Sequence, residues 1–378
     1  MAAPSSDQPA ATPPARPWIR NACWDLGCLA FCWLPFYVWA VFGLGLDGSW
    51  AAKSQQTGLA WATAVALATT YVHRHYTFVL VYGDRDTFRL RARDFLLAPL
   101  VVFMVVGVCR GVYGALRGDP EWAWFGAGTW QAVMITVGVW NVWHTLMQRY
   151  GILRIYAGKA GHGLQERAHG RRDLAMLWSS VILVSWITLL LRASTFAGQG
   201  NARLALKVAG PWLAGPWPWV LLAALGMAWV GVSLVWLRGE LRAELAWRSR
   251  VPRWMFFAST LALLAVFVVH GPIVGYLCFG VAHALEYVAF VHHFGQQKFA
   301  PASRPEKRSL AARLLRRPLR TAPLLIGGLL LAFVLLYDQR RADVYLVYYM
   351  GTSMLHFLFD GWIWKVRRPE VRAPLGVA

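Results

Sequence analysis

Ten apolar runs, each long enough to cross the roughly 30 Å hydrocarbon core of a bilayer, constrain this chain more than any other feature. Of its 378 residues, 57% are hydrophobic and only 15% are charged, too little charge for a soluble protein of this length. The apolar stretch 254–296 is divided at Gly271 and Pro272, because glycine and proline interrupt helices. The expected spans are 22–46, 57–82, 94–115, 122–148, 174–191, 217–237, 254–270, 272–296, 322–337 and 343–365.

Basic residues alternate with these runs and predict the topology. With the N-terminus inside, 29 Lys and Arg fall in inner segments and 7 in outer segments, as the positive-inside rule requires. The expected fold is therefore an all-α, polytopic membrane bundle of about ten transmembrane helices with both termini cytoplasmic, in the bacterial inner membrane. The same alternation argues against a nucleic-acid-binding surface, despite the net charge of +20.

The expected organisation is one membrane domain between two tails. Residues 1–21 are rich in Pro, Ala and Ser and are predicted to be a disordered cytoplasmic tail. Residues 22–365 form the single transmembrane domain, and residues 366–378 form a short cytoplasmic tail. The five cysteines lie in apolar stretches without a C-x-x-C pair, so they are expected to be small core residues.

Histidines gather near the predicted inner ends of four spans. Ionisable groups inside a membrane are costly and usually face one another or a cavity. Several at one depth, accompanied by two carboxylates, therefore predict a functional site. The residues concerned are His73 and His75 in span 2, His144 in span 4, His283, Glu286, His292 and His293 in span 8, and His356 and Asp360 in span 10.

Helical periodicity sorts these side chains. His283, Glu286 and His293 share one face, whereas His292 points roughly away. The candidate metal ligands are His73, His144, His283, Glu286, His292, His293 and His356. The candidate catalytic groups are Glu286 and Asp360, and the residues expected to orient the ligands are His75, Asn141, Gln148 and Asp360.

Imidazole and carboxylate groups suit iron, zinc, copper or manganese. So many ligands exceed what one tetrahedral zinc needs, and favour one six-coordinate metal or a pair of metals. The scarcity of thiolates near the cluster argues against iron–sulfur chemistry. The alternative is a polar network that only ties helices together, but interhelical hydrogen bonds of this kind average about 0.6 kcal/mol, which explains so many histidines poorly.

Three segments, His73-Arg-His75, His283-Ala-Leu-Glu286 with His292-His293, and His356-Phe-Leu-Phe-Asp360, make the chain resemble the membrane histidine-box oxygenases. These are the fatty-acid desaturases, lipid hydroxylases and alkane hydroxylases. The chain has neither an H-x-x-x-H nor an H-x-x-H-H box. The resemblance implies non-haem iron, and O₂-dependent hydroxylation or desaturation of a lipid or other apolar substrate. It also implies that Glu286 either binds the metal or relays a proton.

Two other functions remain open. The segment Trp140-Asn-Val-Trp143-His144-Thr-Leu resembles the W-H-x-S-L segment of membrane-bound O-acyltransferases, and His356 with Asp360 fits a general-base pattern. Alternatively, His144 and His356 could be the axial ligands of a haem in an electron-transfer protein, or the chain could be a transporter.

The inner loops are rich in arginine. They indicate either contact with anionic lipids or docking of an acidic electron donor, with Arg149 and Arg154 as the best candidates for a docking surface. No phosphate loop or dinucleotide fingerprint is present, so a separate electron donor on the cytoplasmic face is the expected partner.

His162 and His169 are assigned to an inner loop, and His270 to the helix break at the outer face, without a catalytic role.

Overall fold

The computed structural model describes residues 17–46, 53–161, 167–196, 209–243, 245–300 and 309–377. Throughout these residues the secondary structure is helical, with no strand, which confirms the predicted all-α class. Residues 1–16 of the expected N-terminal tail, and His162, lie outside the described residues.

The helices follow the apolar runs of the sequence. Two short helices, α1 (Ala22–Ala30) and α2 (Leu34–Gly43), meet at a bend of 48°. The remaining helices are α3 (Lys53–Gly83), α4 (Arg85–Leu90), α5 (Ala92–Leu116), α6 (Ala123–Lys159), α7 (Arg167–Phe196), α8 (Trp217–Arg242), α9 (Trp247–Lys298), α10 (Leu310–Leu315), α11 (Pro318–Tyr337), α12 (Asp343–Ile363) and α13 (Pro369–Arg372).

Five of these helices are long and apolar enough to cross a membrane, namely α5, α7, α8, α9 and α11, and the bent pair α1 and α2 could form a sixth span. Helices α3, α6 and α12 are not among these five, and they carry the buried residues His73, His144 and His356. Large apolar side chains such as Leu100, Leu324 and Leu335 are exposed, at 67%, 77% and 69%. Helices of this kind are compatible with an integral membrane protein.

The predicted interruption of the long apolar stretch is confirmed in α9. This helix of 52 residues is kinked at Gly271, whose φ of 81° and ψ of 173° are accessible almost only to glycine. Pro272 follows directly and lacks the backbone N–H that would continue the hydrogen-bond ladder.

The helix packing arranges four helices around one region. Helix α9 packs against α1, α3, α6 and α7, and α12 packs against α3, α5 and α6. Helices α3 and α6 therefore each contact both α9 and α12. Side chains that point inward from these four helices meet in one region.

The segment after α12 folds back onto the helices. Val371, Leu375 and Val377 are buried, and they belong to one hydrophobic cluster with Ile152 of α6 and Phe294 of α9. Most of the predicted C-terminal tail is thus held by apolar contacts. It forms one side of the region described next.

Candidate metal centre

Four buried imidazoles come together at the point where the four helices meet. They are His73 of α3, His144 of α6, His283 of α9 and His356 of α12, with exposures of 3%, 6%, 1% and 0%. The sequence could not show that the helices carrying them are neighbours. The structure brings all four into one cluster.

The ring nitrogens point at one another. The Nε2 atom of His356 lies 3.1 Å from the Nε2 atom of His73 and 3.1 Å from that of His144. The ring centroid of His283 lies 4.8 Å from that of His73 and 5.0 Å from that of His144.

Hydrogen bonding among neutral rings does not account for this arrangement. A neutral ring nitrogen offers either one hydrogen or one lone pair, so Nε2 of His356 can pair with only one of its two neighbours. Both nitrogens of His283 and the Nδ1 atom of His73 are buried without a hydrogen-bond partner. Burying a polar group without a hydrogen-bond partner costs about 1–3 kcal/mol. A partner that binds one of these nitrogens would therefore stabilise the cluster.

Asp360 orients His356 through hydroxyl groups. The Thr77 hydroxyl donates to Asp360 Oδ1 at 2.9 Å, and the Tyr287 hydroxyl donates to the same oxygen at 2.7 Å. Thr77 Oγ1 also lies 2.6 Å from the Tyr287 hydroxyl and 2.7 Å from His356 Nδ1. When Thr77 donates its hydrogen to Asp360, its contact with His356 places the hydrogen of that ring on Nδ1. His356 then presents the lone pair of Nε2 to the other imidazoles, as a metal ligand must.

The spacing of the donor atoms fits a transition-metal ion. Metal–nitrogen bonds of about 2.0–2.1 Å place adjacent octahedral or tetrahedral ligands roughly 2.8–3.4 Å apart. Two ligand groups have all their donor atoms within 4.8 Å of one another, His73, His283 and His356, and His144, His356 and Asp360. The second oxygen of Asp360, Oδ2, lies 3.6 Å from His144 Nε2. Nitrogen and oxygen donors of this type suit iron, zinc, copper or manganese.

Glu286, a candidate ligand and catalytic group, belongs to neither donor group. Its carboxylate forms an ion pair with Arg149 of α6, and both side chains are fully buried. Gln148 also donates to it at 3.4 Å. The sequence interpretation placed Glu286 on the same face as His283 correctly, but it treated Arg149 as a loop residue. Because α6 continues to Lys159, Arg149 lies within the helix and neutralises Glu286.

His292 and His293 were also candidate ligands, and the structure separates them from the cluster. They follow His283 by nine and ten residues, which at 1.5 Å per residue is about 13–15 Å along the helix. His292 Nε2 lies 2.8 Å from the Tyr76 hydroxyl, and the His293 ring packs on Trp24 at 5.2 Å. Both line a separate cavity of about 530 Å³ beside α1 and α11.

The three other residues predicted to orient ligands have different partners. His75 contacts the hydroxyl of Tyr348 and the backbone oxygen of Tyr71, each at 2.7 Å. Asn141 donates to the hydroxyl of Tyr276 at 2.7 Å. Of the three, Gln148 lies nearest the cluster, because it donates to the backbone oxygen of His283 at 3.2 Å.

The two arginines predicted to form a docking surface are buried. Arg149 is fully buried and Arg154 is 7% exposed. Arg154 contacts His169 at 2.6 Å and Asp173 at 3.3 Å, within a buried charge network that also contains Glu240 and Arg253. These arginines therefore connect α6 to α7, α8 and α9, and the assignment of His169 to a loop was wrong because α7 begins at Arg167.

A cavity of about 520 Å³ reaches the cluster from one side. His144 and Asp360 form part of its inner wall, together with Tyr287 and Phe357. Its other walls come from α6, α9 and the segment that follows α12. A small molecule in this cavity could approach the donor atoms without displacing a helix.

Sequence reasoning did not assign roles to Thr77 and Tyr287. One signal was present, since Thr77 follows His73 by four residues and shares its helix face. Tyr287 had no comparable signal, because its hydroxyl meets Asp360 only when α9 and α12 are packed.

The fold and the site define a helical, membrane-compatible protein with a buried four-histidine cluster beside a carboxylate. Comparisons with protein-family models, with curated proteins and with solved structures give no significant match.

Proposed function

We propose that this chain is a membrane metalloenzyme whose one or two metal ions are held by His73, His144, His283 and His356, with Asp360 as a further ligand or as the group that orients His356. The observation that carries the proposal is the position of His356 Nε2, which lies 3.1 Å from the Nε2 atoms of both His73 and His144 in a buried site. His283 supports it, because both of its ring nitrogens are unpartnered and a bound cation would satisfy one of them.

The proposed reaction is O₂-dependent hydroxylation or desaturation of a lipid or other apolar substrate, with non-haem iron as the metal. Iron bound by such ligands supplies the activation of O₂. In hydroxylation one oxygen atom enters a C–H bond and the other leaves as water, with two electrons and two protons delivered by a separate donor. The protein would hold the substrate in the cavity beside His144, and its apolar walls would exclude water.

We further propose ten membrane spans with both termini cytoplasmic, in a bacterial inner membrane. The ten apolar runs, the kink at Gly271 and the 29-to-7 distribution of Lys and Arg support this topology. Reporter fusions after Arg117, Arg242 and Arg340 test it. A cytoplasmic signal from the Arg242 fusion and external signals from the other two are expected, and the reverse pattern would overturn the proposal.

Elemental analysis and an absorption spectrum of the detergent-purified protein test the metal assignment. We expect one or two equivalents of iron without a Soret band, and loss of the metal in His144→Ala and His356→Ala. His75→Ala is the matched control, because His75 lies on the same helix as His73 but bonds Tyr348 and Tyr71. A folded, metal-free protein from metal-replete cells would falsify the proposal.

The geometry favours this function over the two alternatives. A general base needs an accessible Nε2, but His356 is fully buried with its Nε2 against two imidazoles. Axial haem ligands lie on opposite sides of the iron, so their nitrogens would be about 4 Å apart for bonds of about 2 Å. The 3.1 Å between His144 and His356 fits adjacent ligands better.

A further inference from the structure

The cavity beside the cluster carries positive charge at one end and the candidate metal site at the other. We propose that it binds an amphipathic anion, with the anionic head group at Lys365 and Arg367 and the apolar chain directed toward His144 and Asp360. This inference rests on the proposed function and assigns its substrate class. The shared chemistry is a carboxylate or phosphate head on a hydrocarbon chain.

The charges that line the cavity are arranged along its length. Lys365 and Arg367 follow the end of α12 directly and are exposed. Asp360 is the one carboxylate among the lining residues, and it is 4% exposed, at the inner end. Arg154 also lines the cavity, but it is already bound to Asp173 and His169. The outer end is therefore basic, while the inner end holds the candidate metal ligands.

The wall between the two ends is mainly apolar. Phe290, Phe357 and Trp364 contribute aromatic surface, and Leu375 from the folded-back C-terminal segment closes one side. A volume of about 520 Å³ is within the range of small-molecule sites, roughly 300–1,000 Å³. A hydrocarbon chain would bury its apolar surface against these walls, whereas a small hydrophilic anion has no apolar surface to bury.

The length of the intervening chain limits the distance between the head group and the reacting carbon. Asp360 lies three residues before the end of α12, and Arg367 lies four residues beyond that end. The three helical residues account for about 4.5 Å, and the four residues beyond the helix span at most about 14 Å. A chain held by its head at Lys365 and Arg367 would therefore meet the cluster within about 18 Å of the head group.

Quenching of tryptophan fluorescence by brominated ligands tests the proposal, because Trp143 and Trp364 line the cavity. The full-length protein, in a neutral detergent, is titrated with a brominated fatty acid, a brominated phosphatidylglycerol and a brominated fatty alcohol of the same chain length. We expect at least one of the two anions to bind about tenfold more tightly than the alcohol, as a charge-assisted contact worth about 1.4 kcal/mol implies. The stronger of the two anions identifies the source of the head group.

Two pairs of variants locate the binding. Lys365→Gln with Arg367→Gln is expected to remove the preference for the anion. Arg242→Gln with Arg248→Gln removes two exposed charges outside the cavity and is expected to leave the preference unchanged. Trp364→Phe is expected to reduce the quenching amplitude. Equal affinity for anion and alcohol, or an unchanged preference in the cavity variant, would overturn the inference.

A metal-depleted variant separates this proposal from the proposed function. His73→Ala removes a candidate ligand that does not line the cavity. We expect this protein to lose its metal and to retain the anion preference. Loss of the preference in a folded His73→Ala protein would contradict a head-group site formed by Lys365 and Arg367, whereas absence of metal in the wild type would contradict only the proposed function.

Discussion

The Nε2 atoms of His73 and His356 lie 3.1 Å apart, although 283 positions separate the two residues in the chain. Helices α3 and α12 pack against each other, and both imidazoles are almost completely buried at the contact. Two neutral rings can share one hydrogen across this distance, but the third imidazole, from His144, makes the same approach to His356. Under the proposed function, the two imidazoles would be adjacent ligands of one cation.

Removing the Thr77 hydroxyl is expected to weaken metal binding without unfolding the protein. In Thr77→Val the link between His356 Nδ1 and Asp360 is lost, so the imidazole is no longer held in the required tautomer. The expected loss is 10–100-fold in metal affinity, measured by competition with a chelator. Thr70→Val is the matched control, because the Thr70 hydroxyl bonds only the backbone of its own helix. Equal affinities in the two variants would contradict the role given to Thr77.

His292→Ala and His293→Ala are expected to retain the metal. Both side chains lie about 13–15 Å along α9 from His283, far beyond the length of a coordination bond. Metal content per protein is measured in each variant beside His283→Ala, which is expected to lose the metal. If either His292 or His293 proves necessary for metal binding, the assignment of ligands to the cluster is wrong.

The ion pair between Arg149 and Glu286 is expected to contribute to stability and not to metal binding. Arg149→Met leaves the Glu286 carboxylate buried and unpaired, which typically costs about 3–5 kcal/mol. The double variant Arg149→Met with Glu286→Leu removes both charges and is expected to recover much of the loss. Thermal unfolding followed by tryptophan fluorescence measures the difference, with metal content determined on the same samples. A double variant no more stable than Arg149→Met would contradict this explanation.

Gly271→Ala is expected to destabilise α9 at its kink. The φ of 81° and ψ of 173° at Gly271 are unfavourable for any residue with a Cβ atom, at a cost of about 1–3 kcal/mol. Gly280→Ala in the same helix is the control, because the added Cβ would meet Thr70 at an ordinary contact distance of 3.8 Å. The midpoints of thermal unfolding of the two variants are compared with that of the wild type. A larger loss in Gly280→Ala would be inconsistent with strain at position 271.

Removal of the metal is expected to lower the unfolding midpoint. A ligand that binds only the folded state stabilises it by about 2.7 kcal/mol when its concentration is one hundred times its dissociation constant. Dialysis against a chelator should therefore lower the midpoint of the wild type, and re-addition of the metal should restore it. His356→Ala should show neither effect. A chelator effect of equal size in His356→Ala would indicate a metal bound elsewhere.

Much of the fold could be read from local properties of the chain. Runs of apolar residues determine which segments become helices with lipid-compatible surfaces, because backbone groups away from water must be paired within a helix. The break at Gly271 was also local, since the conformational range of glycine and the missing N–H of Pro272 act within a few residues. His73, His144, His283 and His356 could be nominated as ligands from their depth alone.

Only the tertiary structure decided which nominated residues act together. In the sequence His293 and Glu286 share a helix face with His283. In the structure the axial rise of the helix separates His293 from the cluster, and a guanidinium from another helix pairs with Glu286. Thr77 and Tyr287 meet Asp360 only across helix interfaces. The physical reason is the range of the forces. Helix formation and the preference for a lipid environment depend on residues that are neighbours in sequence. Metal coordination, ion pairing and hydrogen bonding instead require two atoms within about 4 Å of each other. For residues far apart in sequence, only the packing of the helices brings the atoms that close.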